Sequence, residues 1–140
     1  TRTYYASAGI DACIEAFIDD MAEAYAWADL VIARAGALTV SELTQVGIAA
    51  ILVPYPYAVD DHQTANANVL VERGAAILIA DKDLTETSLQ PLLEDLTANR
   101  PKLLEMSLAA KALKRPQAAQ VVMQICLGER DFDDWAEAAS

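Results

Sequence analysis

Asp29–Glu42 reads DLVIARAGALTVSE. Its opening, Asp29–Ala33, is a short run in which apolar residues do not alternate with polar ones, as in a parallel strand covered on both faces. A turn containing Gly36 follows, and Leu38–Val46 is predicted as a helix stopped by Gly47. Strand, small-residue turn and helix form one half of a βαβ unit, and the flanking sequence repeats the pattern. Downstream, Ala50–Val53 (AILV) is predicted as a strand ending at Pro54, Tyr55–Asp61 as a loop, His62–Arg73 as a helix ended by Gly74, and Ala75–Ala80 (AAILIA) as another strand. Upstream, Ile14–Ile18 (IEAFI) is predicted as a short strand, and Asp19–Ala28 as a helix whose first-turn acids suit the positive end of its dipole. After Asp81 three helices are expected, over Leu84–Arg100, Pro101–Arg115 and Pro116–Gly128, the last two opening with proline in the first turn. The expected class is α/β: a partial Rossmann-like parallel sheet of about four strands with flanking helices and a helical C-terminus. Residues 1–128 form one unit and 129–140 an acidic tail with five acids against one arginine.

The chain has 140 residues, within the usual range of a single domain. Lys and Arg number 10 and Asp and Glu 21, a formal net charge of −11. That balance argues against nucleic acid, which needs a basic face. The apolar share of 54 % is inflated by 28 alanines, and the longest uncharged run, Leu43–Val59, is interrupted by Gly47, Pro54 and Pro56. It falls short of the ~20 apolar residues that span a bilayer. The start, TRTYYASAG, lacks the apolar core of a signal peptide. Cys13 and Cys126 read as buried, reduced thiols of a cytosolic protein. The first residue is Thr1 rather than Met, so a preceding segment is expected to be missing.

Chemistry concentrates in two places. In Ala33–Glu42 the N–H groups of Ala37, Leu38 and Thr39 open a helix at the carboxyl end of a strand, where an anion such as phosphate binds. Gly36 and Ala37 let a ligand approach the backbone, and Glu42 can accept two hydrogen bonds from a vicinal diol such as ribose. The same spacing, Thr39-x-x-Glu42, is that of a capping box, in which both side chains serve the helix's own N–H groups. In Pro54–Asn66 (PYPYAVDDHQTAN), Asp60, Asp61, His62, Gln63, Thr64 and Asn66 crowd a loop-to-helix junction. Amides and hydroxyls there suit a polyhydroxylated ligand, while Asp60 or Asp61 also suits a helix N-cap. His62 is the only histidine, which excludes a His-rich metal site.

FIDDM (Phe17–Met21), AYAWADLVIARAGALTVSEL (Ala24–Leu43), AILVPYPYAVDDHQTANA (Ala50–Ala67) and ERGAA (Glu72–Ala76) together resemble the MurG glycosyltransferases. The likeness runs from about Ile14 to about Leu127. It implies part of the C-terminal, UDP-sugar-binding domain of a two-domain enzyme of the GT-B fold. That enzyme moves N-acetylglucosamine from UDP-N-acetylglucosamine to lipid I, giving lipid II for peptidoglycan. The acceptor site and the proposed catalytic base would lie in an N-terminal domain outside this chain, so no catalytic residue is assigned and the piece alone is expected not to turn over. The resemblance implies that Phe17 and Ile18 hold uracil, that Arg34 assists near the phosphates, and that the turn from Gly36 through Ala37, Leu38 and Thr39 meets the diphosphate. Glu42 would take the ribose hydroxyls, His62 and Gln63 the sugar hydroxyls, and Asn66 would support that helix start. Ala35 stands where other members carry serine. The implied mechanism is an inverting displacement with no cofactor and no metal, by an enzyme peripheral to the cytoplasmic face of the bacterial inner membrane. Two other readings stay open: a UDP-N-acetylglucosamine 2-epimerase-like enzyme and a non-catalytic α/β binding module. Truncation would expose sheet edge, so self-association is expected as well.

Overall fold

In the computed structural model, which describes residues 2–57 and 61–129, the elements alternate as the pattern requires. After a short helix α1 (Arg2–Ser7) and an irregular segment come α2 (Met21–Trp27), β1 (Leu30–Ala33), α3 (Ala37–Val46), β2 (Ala49–Leu52), α4 (His62–Val71) and β3 (Ala76–Leu78). A 3-10 turn at Asp81–Asp83 leads into α5 (Glu86–Ala98), α6 (Arg100–Ala112) and α7 (Ala118–Cys126). Among the described residues the strands form one parallel sheet in the order β1-β2-β3, with Val31 opposite Ala50 and Ile51 opposite Ile77.

β2 is buried along its whole length, and its alternation divides the core into two layers. Ala50 and Leu52 face a cluster with Leu43 of α3 and Ala67 and Leu70 of α4. Ala49 and Ile51 face Leu96 of α5 and Leu103 and Met106 of α6. Helices therefore cover both faces, as a parallel sheet demands. The Ala49 N–H, at the start of the central strand, donates to Ser107 Oγ of α6 at 3.2 Å.

Gly47 ends α3 in the left-handed region at φ 76°, its N–H donating to Leu43 O at 2.9 Å. A Cβ there would stand 2.7 Å from Lys111 Cβ of α6, so this glycine is required both by its dihedral and by packing. α2 is capped by Asp20, whose Oδ1 accepts from Glu23 N–H at 2.8 Å. Thr85 and Ser88 close a capping box on α5.

Four expectations are corrected. Ile14–Ile18 forms no strand: apart from half-buried Ile14 these residues are exposed, and no strand pairs with them to stabilise extended backbone there. The sheet therefore has three strands among the described residues rather than about four. Pro116 lies outside α7, ahead of its N-cap Gln117, whereas Pro101 does sit in the first turn of α6. Cys13 and Cys126 are free but exposed, one in the irregular segment and the other at the end of α7. No helix among the described residues is long and apolar enough to cross a membrane. Apart from Glu129, the acidic tail lies outside the described residues, as does Asp60.

Candidate functional site at the carboxyl end of the sheet

The turn after β1 delivers α3 with its first N–H groups uncommitted to the helix. The first intrahelical bond runs from Val40 N–H to Gly36 O at 2.9 Å, so the amides of Ala37, Leu38 and Thr39 have no acceptor within α3. The N-cap is Gly36, which offers no capping side chain. Its backbone, at φ −64° and ψ 148°, is open to any residue, and an added Cβ would meet only Thr39 Oγ1, at an ordinary 3.7 Å. Nothing in the fold requires glycine here. What its absent side chain provides is access to the three amides. Leu38 extends beside them with 80 % of its surface exposed.

The capping-box alternative for Thr39 and Glu42 does not hold. α3 starts at Ala37, which places Thr39 inside its first turn and Glu42 well beyond it. The Glu42 carboxylate is exposed, and its Oε2 accepts instead from the Tyr25 hydroxyl of α2 at 2.9 Å. Tyr25 is only 8 % exposed. Burial, then the hydrogen bond to Glu42 and its negative charge, push the tyrosine up to about 12. The hydroxyl thus stays protonated and donating throughout the neutral range.

The second cluster is bonded to the first. Asn66 Nδ2 of α4 donates to Ala35 O, beside Gly36, at 3.1 Å. Asn66 therefore holds the first turn in place rather than the start of its own helix. Gln63 Oε1 accepts from Tyr55 N–H at 2.9 Å, which joins the loop after β2 to α4. Asp61 is the N-cap of α4, in the left-handed region at φ 53°, and its Oδ1 accepts from the Thr64 hydroxyl at 2.6 Å. His62 opens the helix with an exposed side chain.

Arg34 draws the ends of all three strands together. Its Nη1 lies 3.3 Å from Val53 O, 3.2 Å from Pro54 O and 2.5 Å from Asp81 Oδ1, and its guanidinium stands 5.7 Å from the centre of the Tyr55 ring. Asp81, just past β3, is a residue that sequence reasoning missed. Asp81 and Asp83 have the Asp-x-Asp spacing of many metal sites, yet among the described residues no group of three or more His, Cys, Asp and Glu is placed to hold a metal ion.

Phe17 and Ile18 lie before α2, not within the turn cluster. Phe17 is 78 % exposed, and both residues line an open hollow of about 780 Å³ with Ile14, Glu23 and Trp27. α2 borders that hollow and also carries Tyr25, so it connects the Phe17–Ile18 segment to Glu42.

The profile of the glycosyltransferase family 28 C-terminal domain matches residues 1–122. The chain belongs to that family. Among its relatives is the UDP-N-acetylglucosamine–N-acetylmuramyl-(pentapeptide) pyrophosphoryl-undecaprenol N-acetylglucosamine transferase of Marinobacter nauticus. The two are 56 % identical over 123 residues, which cover 88 % of this chain and 34 % of that protein. The protein of the same name from Methylococcus capsulatus is 51 % identical over 129 residues, 92 % of this chain and 36 % of the relative. The crystal structure of Acinetobacter baumannii MurG matches with a TM-score of 0.82 at 44 % identity, covering 89 % of this chain and 36 % of that one. The resemblance to MurG glycosyltransferases read in the glycine turn and the Asp60–Ala67 run is borne out. This family 28 domain spans about a third of the length of the relatives it matches.

Proposed function

We propose that the chain is the donor-binding part of an inverting glycosyltransferase that moves N-acetylglucosamine from UDP-N-acetylglucosamine to lipid I. The relatives named above support this substrate pair, and so does their length, which leaves room for a separate acceptor domain. The observation that carries it is the start of α3, with three uncommitted amides behind a glycine that its own backbone does not need. A diphosphate is the ligand such a site suits, since aligned N–H groups and the helix dipole both favour the anion.

In this reading the Ala37, Leu38 and Thr39 amides receive the diphosphate, Glu42 the ribose hydroxyls, and Phe17 and Ile18 the uracil face. His62 and Gln63 meet the sugar; Gln63 does so through its Nε2, because its Oε1 is held by Tyr55. Asn66 keeps the turn in register, and Arg34 adds positive charge beside it. The acceptor hydroxyl attacks the anomeric carbon from the face opposite UDP. The bond to the diphosphate oxygen breaks as the new glycosidic bond forms, and the hydroxyl proton passes to a base outside this chain. The charge that develops on UDP falls on amides already oriented toward it, which lowers the barrier without reorganisation. A protein of this kind works at the cytoplasmic face of the inner membrane, where lipid I is exposed.

Calorimetric titration of the chain tests the reading. UDP and UDP-N-acetylglucosamine should saturate it and GDP should not, and Glu42→Ala should weaken UDP by about 10–100-fold, as expected for hydrogen bonds to a charged group. Equal responses to UDP and GDP would overturn it.

A further inference from the structure

We propose that Tyr25 is a positioning residue for the donor's ribose: its hydroxyl holds Glu42 Oε2 so that the other carboxylate oxygen meets the ribose diol in a preset orientation. The proposal rests on the role assigned above to Glu42. Three observations carry it. Glu42 is exposed, so an unheld carboxylate would sample several rotamers. Tyr25 is rooted in the core cluster that also holds Leu43, next to Glu42 in α3, and Ala35, just ahead of the α3 start, so its hydroxyl is a fixed point. The bond crosses from α2 to α3 at 2.9 Å, and α2 also borders the hollow that holds Phe17 and Ile18. One helix therefore orients both ends of a uridine: the base through the segment that precedes it and the ribose through Tyr25.

The chemistry is specific. A neutral phenol donates one hydrogen bond and leaves the carboxylate charged, with acceptor positions directed outward. A lysine in the same place would instead neutralise the charge that the diol hydroxyls need. The raised tyrosine keeps the proton on the phenol across the working range of pH.

The experiment is a titration of the chain, its Tyr25→Phe, Glu42→Ala and double variants, with UDP and with 2′,3′-dideoxy-UDP. Tyr25→Phe should weaken UDP roughly 3–10-fold, the size of one side chain's ordering on binding, and leave the dideoxy ligand within about twofold. In the Glu42→Ala background the Tyr25 change should have no further effect, since the two act as one unit. Equal weakening of both ligands by Tyr25→Phe would make Tyr25 a packing residue and overturn the proposal. So would unchanged UDP affinity in Tyr25→Phe while Glu42→Ala weakens it, which leaves the Glu42 assignment intact. If Glu42→Ala leaves UDP affinity untouched, or the unaltered chain does not bind UDP, the underlying site reading fails and this inference falls with it. A Tyr25→Phe chain that loses its cooperative melt would show Tyr25 to be structural, and would overturn the proposal on that ground.

Discussion

At one end of α3 stands Gly36, with φ −64° and 3.7 Å to the nearest atom that a side chain would meet; at the other stands Gly47, with φ 76° and only 2.7 Å. The same residue type closes both ends of a ten-residue helix, and the polypeptide needs only the second. Gly47 is demanded by its own dihedral and by Lys111. Gly36 is explained by neither, which leaves the space in front of the amides as its reason. A glycine that folding does not require points to something outside the chain.

Substitution at Gly47 gives the largest expected effect. Gly47→Ala should lower stability by ~2–4 kcal/mol, combining left-handed strain with the displacement of Lys111. Urea unfolding measures this, and a loss below about 1 kcal/mol would erase the contrast between the two ends. Midway along α3, the Tyr25–Glu42 bond gives an intermediate effect. Because folding raises the tyrosine from 10.0 to about 12, its contribution is complete below pH 10 and is lost as pH climbs through 12. The stability gap between the chain and Tyr25→Phe should narrow by about 1 kcal/mol from pH 9 to pH 11. A gap that is constant or widening would mean the hydroxyl is not held as described. The smallest effect on stability is at Gly36, where Ala should shift unfolding by no more than ~0.5 kcal/mol, a slightly poorer cap offset by a less flexible unfolded chain. UDP affinity should nevertheless fall several-fold in Gly36→Ala. A variant that binds normally would remove the ligand-based reason for this glycine.

Much of this architecture was legible because burial writes itself into composition. Ala49–Leu52 is apolar at every position since both faces are covered, and Gly47 marks the helix end because few other residues adopt its dihedral. Ile14–Ile18 is apolar at all but Glu15 yet forms no strand, since a local pattern cannot reveal whether a neighbouring strand edge is there to pair with. The spacing of Thr39 and Glu42 is that of a capping box, but spacing alone does not fix where a helix begins; with α3 starting at Ala37, Thr39 is its third residue and the pair cannot meet as cap and N3. Tyr25 and Asp81 were not legible at all. Their partners, Glu42 and Arg34, lie on other elements, and only the folded chain brings them together.

The cross-bonds at the carboxyl end also have an entropic side. Arg34 to Val53, Pro54 and Asp81, Tyr55 to Gln63, and Asn66 to Ala35 form a brace joining the segments that follow all three strands. Loops left to themselves would lose freedom when a ligand arrives, at roughly 0.5–1.5 kcal/mol for each side chain immobilised. Here Arg34, Gln63 and Asn66 take their places when the chain folds, so a molecule settling on this end of the sheet does not have to order those three side chains.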